Sequence, residues 1–111
     1  MGTIMIRWLV VCGVAWTGFA LPLRGADGPG ASAFRSNCVI CHAADASGKT
    51  AMGKKFNIRD LRSPEVQKQT DAELAEIISK GKKPMPAFSG RLNERQIQEV
   101  VTYLRELGKK Q

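Results

Sequence analysis

The stretch CVICH, Cys38 to His42, decides how this 111-residue chain is read. It carries two of the three cysteines and the only histidine. Three chemistries use such a cluster: a redox dithiol, a metal site, and a covalent haem attachment point. The rest of the sequence separates them.

A redox C-x-x-C of the thioredoxin type opens a helix within a βαβ pattern. No run in this chain alternates as a half-buried strand does. A structural zinc ion usually takes four Cys and His ligands in two separated pairs. Apart from Cys12, which lies in an apolar leader, no further Cys or His exists, so a carboxylate or water would have to complete the shell. Haem attachment uses every residue of the cluster. In C-x-x-C-H each thiol adds to one vinyl group of the porphyrin, and the histidine reaches the iron as proximal ligand. One turn of chain presents both sulfurs to one edge of the macrocycle and folds the imidazole beneath it. On this reading Cys38 and Cys41 form the two thioethers of one haem c, and His42 is the proximal axial ligand.

The N-terminus fits export, and such haems are attached outside the cytoplasm. Arg7 precedes an uncharged run from Trp8 to Leu23, and Gly18 and Ala20 supply the small residues of a cleavage site. Arg24–Gly25–Ala26 offers a second cut. A signal peptide is expected over residues 1–25, cleaved near 20–26, followed by one domain over 26–111. A membrane anchor, the competing reading, needs roughly 20 apolar residues, and this run is short and meets Pro22. Cys12 reads as a small buried hydrophobe.

The mature chain would be about 85–91 residues, a length at which an apolar core alone is marginal. A bound haem is a large apolar body that helices can pack around. The net charge is +7, and removal of residues 1–20 takes away Arg7 alone, leaving +6. A basic surface points to acidic partners. No nucleic-acid-binding motif is present, and the leader points away from the cytoplasm.

Helix signals dominate the rest. Gly28 to Cys38 can form a short helix with Phe34 as its aromatic anchor. Ser63 and Pro64 form an N-cap and a first helical position. Thr70 and Glu73 fit a capping box before Leu74, Ile77 and Ile78, with Gly81 after the last turn. Asn93 and Gln96 fit another before the stripe Ile97, Val100, Val101, Leu104 and Leu107, with Gly108 as terminator. The expected fold is all-α: three to four short helices around one covalently bound haem, with long loops over Ala43–Arg62 and Lys82–Leu92.

A haem electron carrier closes the second face of the iron with Met or His. With no second histidine, Met52 and Met85 are the candidates in the mature chain. Met52 lies in a polar loop and reads as packing or surface. Met85 lies between Pro84 and Pro86, which restrict the backbone on both sides and hold a thioether in place at low entropic cost. Met85 is therefore the expected distal axial ligand.

FRSNCVICH and IISKGKKPMPAFSGRLNERQIQEVVTYLREL together resemble the class I c-type cytochromes, small soluble monohaem proteins, over essentially the whole mature chain. MPAFSGRL is similar to the short photosynthetic-type and bacterial members. The resemblance implies the cytochrome c fold, Cys38 and Cys41 as thioethers, His42 and Met85 as axial ligands, and terminal helices crossing near Phe34, Val101 and Tyr103. In two respects the chain departs from the family. Many members have a proline soon after the histidine, whose carbonyl accepts the imidazole Nδ1–H, and none lies between His42 and Ser63. The tryptophan near the end of many photosynthetic members is missing, which favours a bacterial periplasmic carrier over one in the thylakoid lumen.

The expected function is single-electron transfer, not enzymatic turnover, by a monomer that meets membranes only transiently. Lys82 and Lys83, with Lys49, Lys54 and Lys55, are candidates for a basic ring that steers the carrier to acidic redox proteins such as a membrane reductase, terminal oxidase or dehydrogenase. Lys55, Asn57 and Arg59 are candidates for propionate contacts. The rivals are an open-haem peroxidase-like enzyme or gas sensor, and the electron-accepting cytochrome subunit of a larger periplasmic oxidoreductase.

Overall fold

The computed structural model describes residues 28–111 together with Gly18. The expected signal peptide, Gly18 apart, and Cys12 lie outside the described residues. Helices α1 (Pro29–Asn37), α2 (Val39–His42), α3 (Ala51–Lys55), α4 (Pro64–Gln67), α5 (Asp71–Lys80) and α6 (Glu94–Gly108) make an all-α fold with no strand among the described residues. The expected count of three to four helices is corrected to six among the described residues. The additions are α2, formed by VICH itself, and α3, which arises inside the expected Ala43–Arg62 loop. Both are four or five residues long, too short to show a periodic apolar stripe.

The longer helices begin where their caps predict. At α5, the Glu73 N–H donates to Thr70 Oγ1 at 3.1 Å while the Thr70 N–H donates to Glu73 Oε2 at 2.7 Å. At α6, Asn93 and Gln96 exchange the same pair of bonds, each 2.9 Å. Each box satisfies backbone donors that helix geometry leaves unpaired. The apolar face of α6 then buries Ile97, Val100, Val101, Tyr103 and Leu104. Gly108 is the last residue of α6, in keeping with its expected terminating role. A Cβ there would lie 2.6 Å from the Gln67 side chain, so the small residue makes room for a neighbour.

Helix α1 lies across α6. Phe34 and Tyr103 meet edge to face, with ring centroids 5.5 Å apart at 60°, a geometry that aromatic quadrupoles favour. Phe34, Val100 and Val101 are each 1% exposed, and burying side chains of this kind contributes about 1.5–3 kcal/mol apiece. The backbones approach so closely at Gly30 that a Cβ there would sit 2.1 Å from the Glu99 carbonyl oxygen. On the far side, Arg105 ties α6 to the α4–α5 junction. Its guanidinium donates to Asp71 Oδ1 at 2.9 Å, to the Gln67 carbonyl at 2.8 Å, and to the Gln69 carbonyl. Gln67 Nε2 in turn donates to the Leu61 carbonyl at 2.8 Å.

Gly30→Ala should force α1 off α6. We expect a loss of about 1–3 kcal/mol, the range for overpacking, read as a lower urea midpoint at unchanged m-value. An unchanged midpoint would show that the helices separate without cost.

Candidate functional site

Helix α1 ends at Cys38, whose N–H donates to the Phe34 carbonyl at 2.9 Å while its backbone departs to φ −117°. The chain re-enters a helix at once, so Val39–His42 forms a separate turn against the core. Phe34, Cys38 and His42 supply one wall of a cavity of about 60 Å³. Leu74, Ile77 and Ile78 of α5 supply a second wall, Val100 and Leu104 of α6 a third, and Leu61 and Met85 enter from loops. Cys41 lies in the same short helix, half-buried, and is not part of the cavity wall.

The electrostatics follow from burial. The Cys38 thiol is pushed up to about 11, first by desolvation and then by the neighbouring Cys41. Both cysteines are free. A thiol held so far above neutrality is the opposite of an activated redox cysteine, and the absence of strands among the described residues also argues against a thioredoxin-like site. Burial lowers the His42 pKa, which keeps the imidazole neutral, the form that binds a metal. Its Nδ1 is buried and has no hydrogen-bond partner. Among the described residues no three His, Cys, Asp or Glu side chains gather around a common point for a bare ion, which disfavours the zinc reading.

Met85 reaches the cavity from a turn in which Lys82 and Met85 exchange backbone bonds, 3.1 and 2.9 Å long. The Lys83–Pro84 bond within it is cis. The loop is pinned to the end of α5, where the Phe88 N–H donates to the Ile78 carbonyl at 3.0 Å and the Phe88 ring is buried. Gly81 lets the loop fold back. Its φ is +74°, and a Cβ there would lie 2.7 Å from both Ala87 N and the Pro86 carbonyl carbon. Met52, the other candidate, sits on α3, is 37% exposed, and takes no part in the cavity. The structure thus brings Cys38, His42 and Met85 together and leaves Met52 outside.

Lys49, Lys54, Lys55, Lys82 and Lys83 are all exposed, and Lys55 lies over the Phe56 ring at 5.4 Å. Lys55, Asn57 and Arg59 do not line the cavity, and Arg59 faces Glu65 at 3.6 Å. Sequence reasoning missed three contributors. Leu61 fills a wall from a loop without periodicity. Thr50 binds the end of α2 from the loop before α3. Gly81 was read only as a helix terminator, though its φ and close contacts also shape the Met85 turn. No helix among the described residues is long and apolar enough to cross a membrane.

The chain is similar to known proteins in sequence and in fold. Residues 25–104 match the family described as cytochrome c oxidase, cbb3-type, subunit III. The chain is 36% identical to cytochrome c6 of Nostoc sp. strain PCC 7120, over 91% of this chain and 89% of that protein. It is 34% identical to cytochrome c6 of Gloeothece citriformis, over 96% and 92% respectively. Among solved structures, one titled "KustC0563 c-type cytochrome" superposes with a TM-score of 0.63 at 24% identity, covering 68% of this chain and 93% of that one. That likeness bears on the fold.

Two glycines test the Met85 loop. Gly81→Ala should cost about 1–3 kcal/mol, through its positive φ and the crowded Pro86–Ala87 backbone. Gly90, in the same loop, has no atom within 4 Å of a built Cβ, and Gly90→Ala should stay within about 0.5 kcal/mol of wild type. Chemical denaturation of both variants reads the difference, and equal losses would mean that Gly81 does not shape the loop.

Proposed function

Because the chain belongs to the small class I c-type cytochromes, within the family described as cytochrome c oxidase, cbb3-type, subunit III, and is an electron carrier and not an enzyme, we propose that it works through one covalently bound haem c with His42 and Met85 as axial ligands. The observation that carries this reading is the convergence of Cys38, His42 and Met85 on one cavity whose other walls are apolar.

The residues present fit the group. The polypeptide provides two free thiols at the attachment spacing, a neutral imidazole, and a thioether on a stiff loop. His42 Nδ1 departs from the usual pattern: it is buried without a hydrogen-bond partner, whereas a metal-bound imidazole ordinarily donates its second N–H to a carbonyl or carboxylate. Haem c supplies one-electron chemistry between ferric and ferrous iron. In our proposal Cys38 and Cys41 hold it covalently, and His42 and Met85 occupy both axial positions, so ligation need not change on electron transfer. The apolar walls exclude water, and burial with a thioether ligand raises the potential. The basic side chains at the loop tips steer the carrier to acidic membrane redox complexes. We place the mature protein in a bacterial periplasm, exported by residues 1–25. The family description, an oxidase subunit, supports a second reading in which the chain docks permanently on a larger oxidoreductase. The size of the native assembly in detergent extract separates the two.

Met85→Ala should open the coordination site, lower the potential, admit carbon monoxide to ferrous protein and raise peroxidase activity, while Met52→Ala should do none of these. An optical titration with carbon monoxide reads both. A wild-type protein that binds carbon monoxide readily would replace the carrier reading with an open-haem one.

Replacing Lys82 and Lys83 with Glu should slow electron transfer to an acidic partner mainly in the association rate, with the largest effect at low salt. Equal bimolecular rates at low ionic strength would remove these lysines from the docking surface.

A further inference from the structure

Helix α2 is one turn long, and the last carbonyls of a helix have no partner within it. Val39 O accepts from the Ala43 N–H at 3.0 Å, and the chain then turns away with Ala43 at φ +65°. That leaves the carbonyls of Ile40, Cys41 and His42 to be satisfied from elsewhere. His42 O accepts from the Gly48 N–H at 2.8 Å. Ile40 O and Cys41 O share a single donor, the Thr50 hydroxyl, at 2.9 and 3.1 Å. The same oxygen accepts from the Gly53 N–H at 2.9 Å and so starts α3. The packing beneath it is tight: a Cβ on Gly53 would lie 2.0 Å from Gly48 O and 2.6 Å from Cys41 O.

We propose that Thr50 is a positioning residue for the haem site, whose hydroxyl clamps the end of the attachment helix onto α3 and so sets the orientation of Cys41 and His42. The inference rests on the haem reading above. Two consequences follow from the chemistry of the bond. Without the hydroxyl proton, α2 is free to tilt, and His42 tilts with it. The Ile40 and Cys41 carbonyl oxygens also keep their full negative dipole ends beside the attachment site, and negative potential there favours ferric over ferrous iron.

Thr50→Val keeps nearly the same shape and removes both the clamp on α2 and the cap on α3. In the holoprotein we expect the redox equilibrium against a fixed mediator to move at least threefold towards the oxidised form, which is about 28 mV for one electron at 59 mV per tenfold. We also expect a measurable change in the low-spin optical spectrum. Thr50→Ser keeps the hydroxyl and should restore both. Thr50→Ala gives a second measure of the same loss should the valine protein accumulate poorly. Thr102→Val is the control: Thr102 Oγ1 donates to the Gln98 carbonyl on the exposed face of α6 and Thr102 does not line the cavity, so its loss should leave potential and spectrum unchanged. A lower melting temperature in Thr50→Val with wild-type potential and spectrum would make Thr50 a merely structural residue and overturn the inference. So would a serine variant that behaves like valine. Failure of the haem reading would show in the wild-type spectrum, whereas failure of this inference shows only in the variants.

Discussion

The crossing of α1 on α6 is the contact on which the rest depends. Gly30 brings the backbone of α1 to within a Cβ's reach of the Glu99 carbonyl, and Phe34 fixes the rotation by meeting Tyr103. Cys38 follows Phe34 by one helical turn, so that rotation also sets where the CVICH segment lies. With α1 placed, Cys38 and His42 face Val100 and Leu104 across the cavity. A larger residue at position 30 or a smaller one at 34 would therefore be felt at the site as well as in the core, because close-packed interiors transmit strain.

The far wall is held by different means. Helix α5 contributes Leu74, Ile77 and Ile78, and is kept against α6 partly by Arg105, which reaches two backbone carbonyls and the Asp71 carboxylate. A guanidinium suits this role because its fixed fork satisfies several acceptors at once. From the end of α5 the chain folds back through Gly81 into the Met85 turn. Pro84 and Pro86 restrict that turn, and the buried Phe88 ring anchors it. Met85 is thus presented by a loop with little freedom of its own.

Charge is distributed along the chain in blocks that match this architecture. Residues 39–62 carry Lys49, Lys54, Lys55, Arg59 and Arg62 against Asp45 and Asp60, a net +3. Residues 81–92 carry Lys82, Lys83 and Arg91, again +3. Between them, residues 63–80 carry Glu65, Asp71, Glu73 and Glu76 against Lys68 and Lys80, a net −2. The two loop segments that flank the candidate site are basic, while α4 and α5 are acidic. Such an asymmetry orients a small protein in the field of an acidic partner before contact, which is useful to a carrier that must present one edge.

Much of this was legible in the residues themselves. The two capping boxes, the α6 stripe, the Phe34 anchor and the position of Met85 rather than Met52 at the cavity all rest on local chemistry: hydrogen bonds within four residues, a 3.6-residue period, and the stiffness of proline. CVICH likewise carries the C-x-x-C-H spacing without help from the rest of the chain. The sequence could not show that CVICH is a separate turn of helix, that α3 exists, or that Gly108 is small to admit Gln67. Nor could it show that Thr50 satisfies two carbonyls some ten residues earlier in the chain. Each of these depends on what another part of the chain places nearby. A four-residue helix has no period to read, and a glycine needed for close approach looks the same in sequence as one needed for a turn. Local propensity determined the long helices and the stiffness of the Met85 turn. Tertiary packing decided the short helices, the cavity walls and the orientation of the attachment helix, because only there do unpaired backbone groups find their partners.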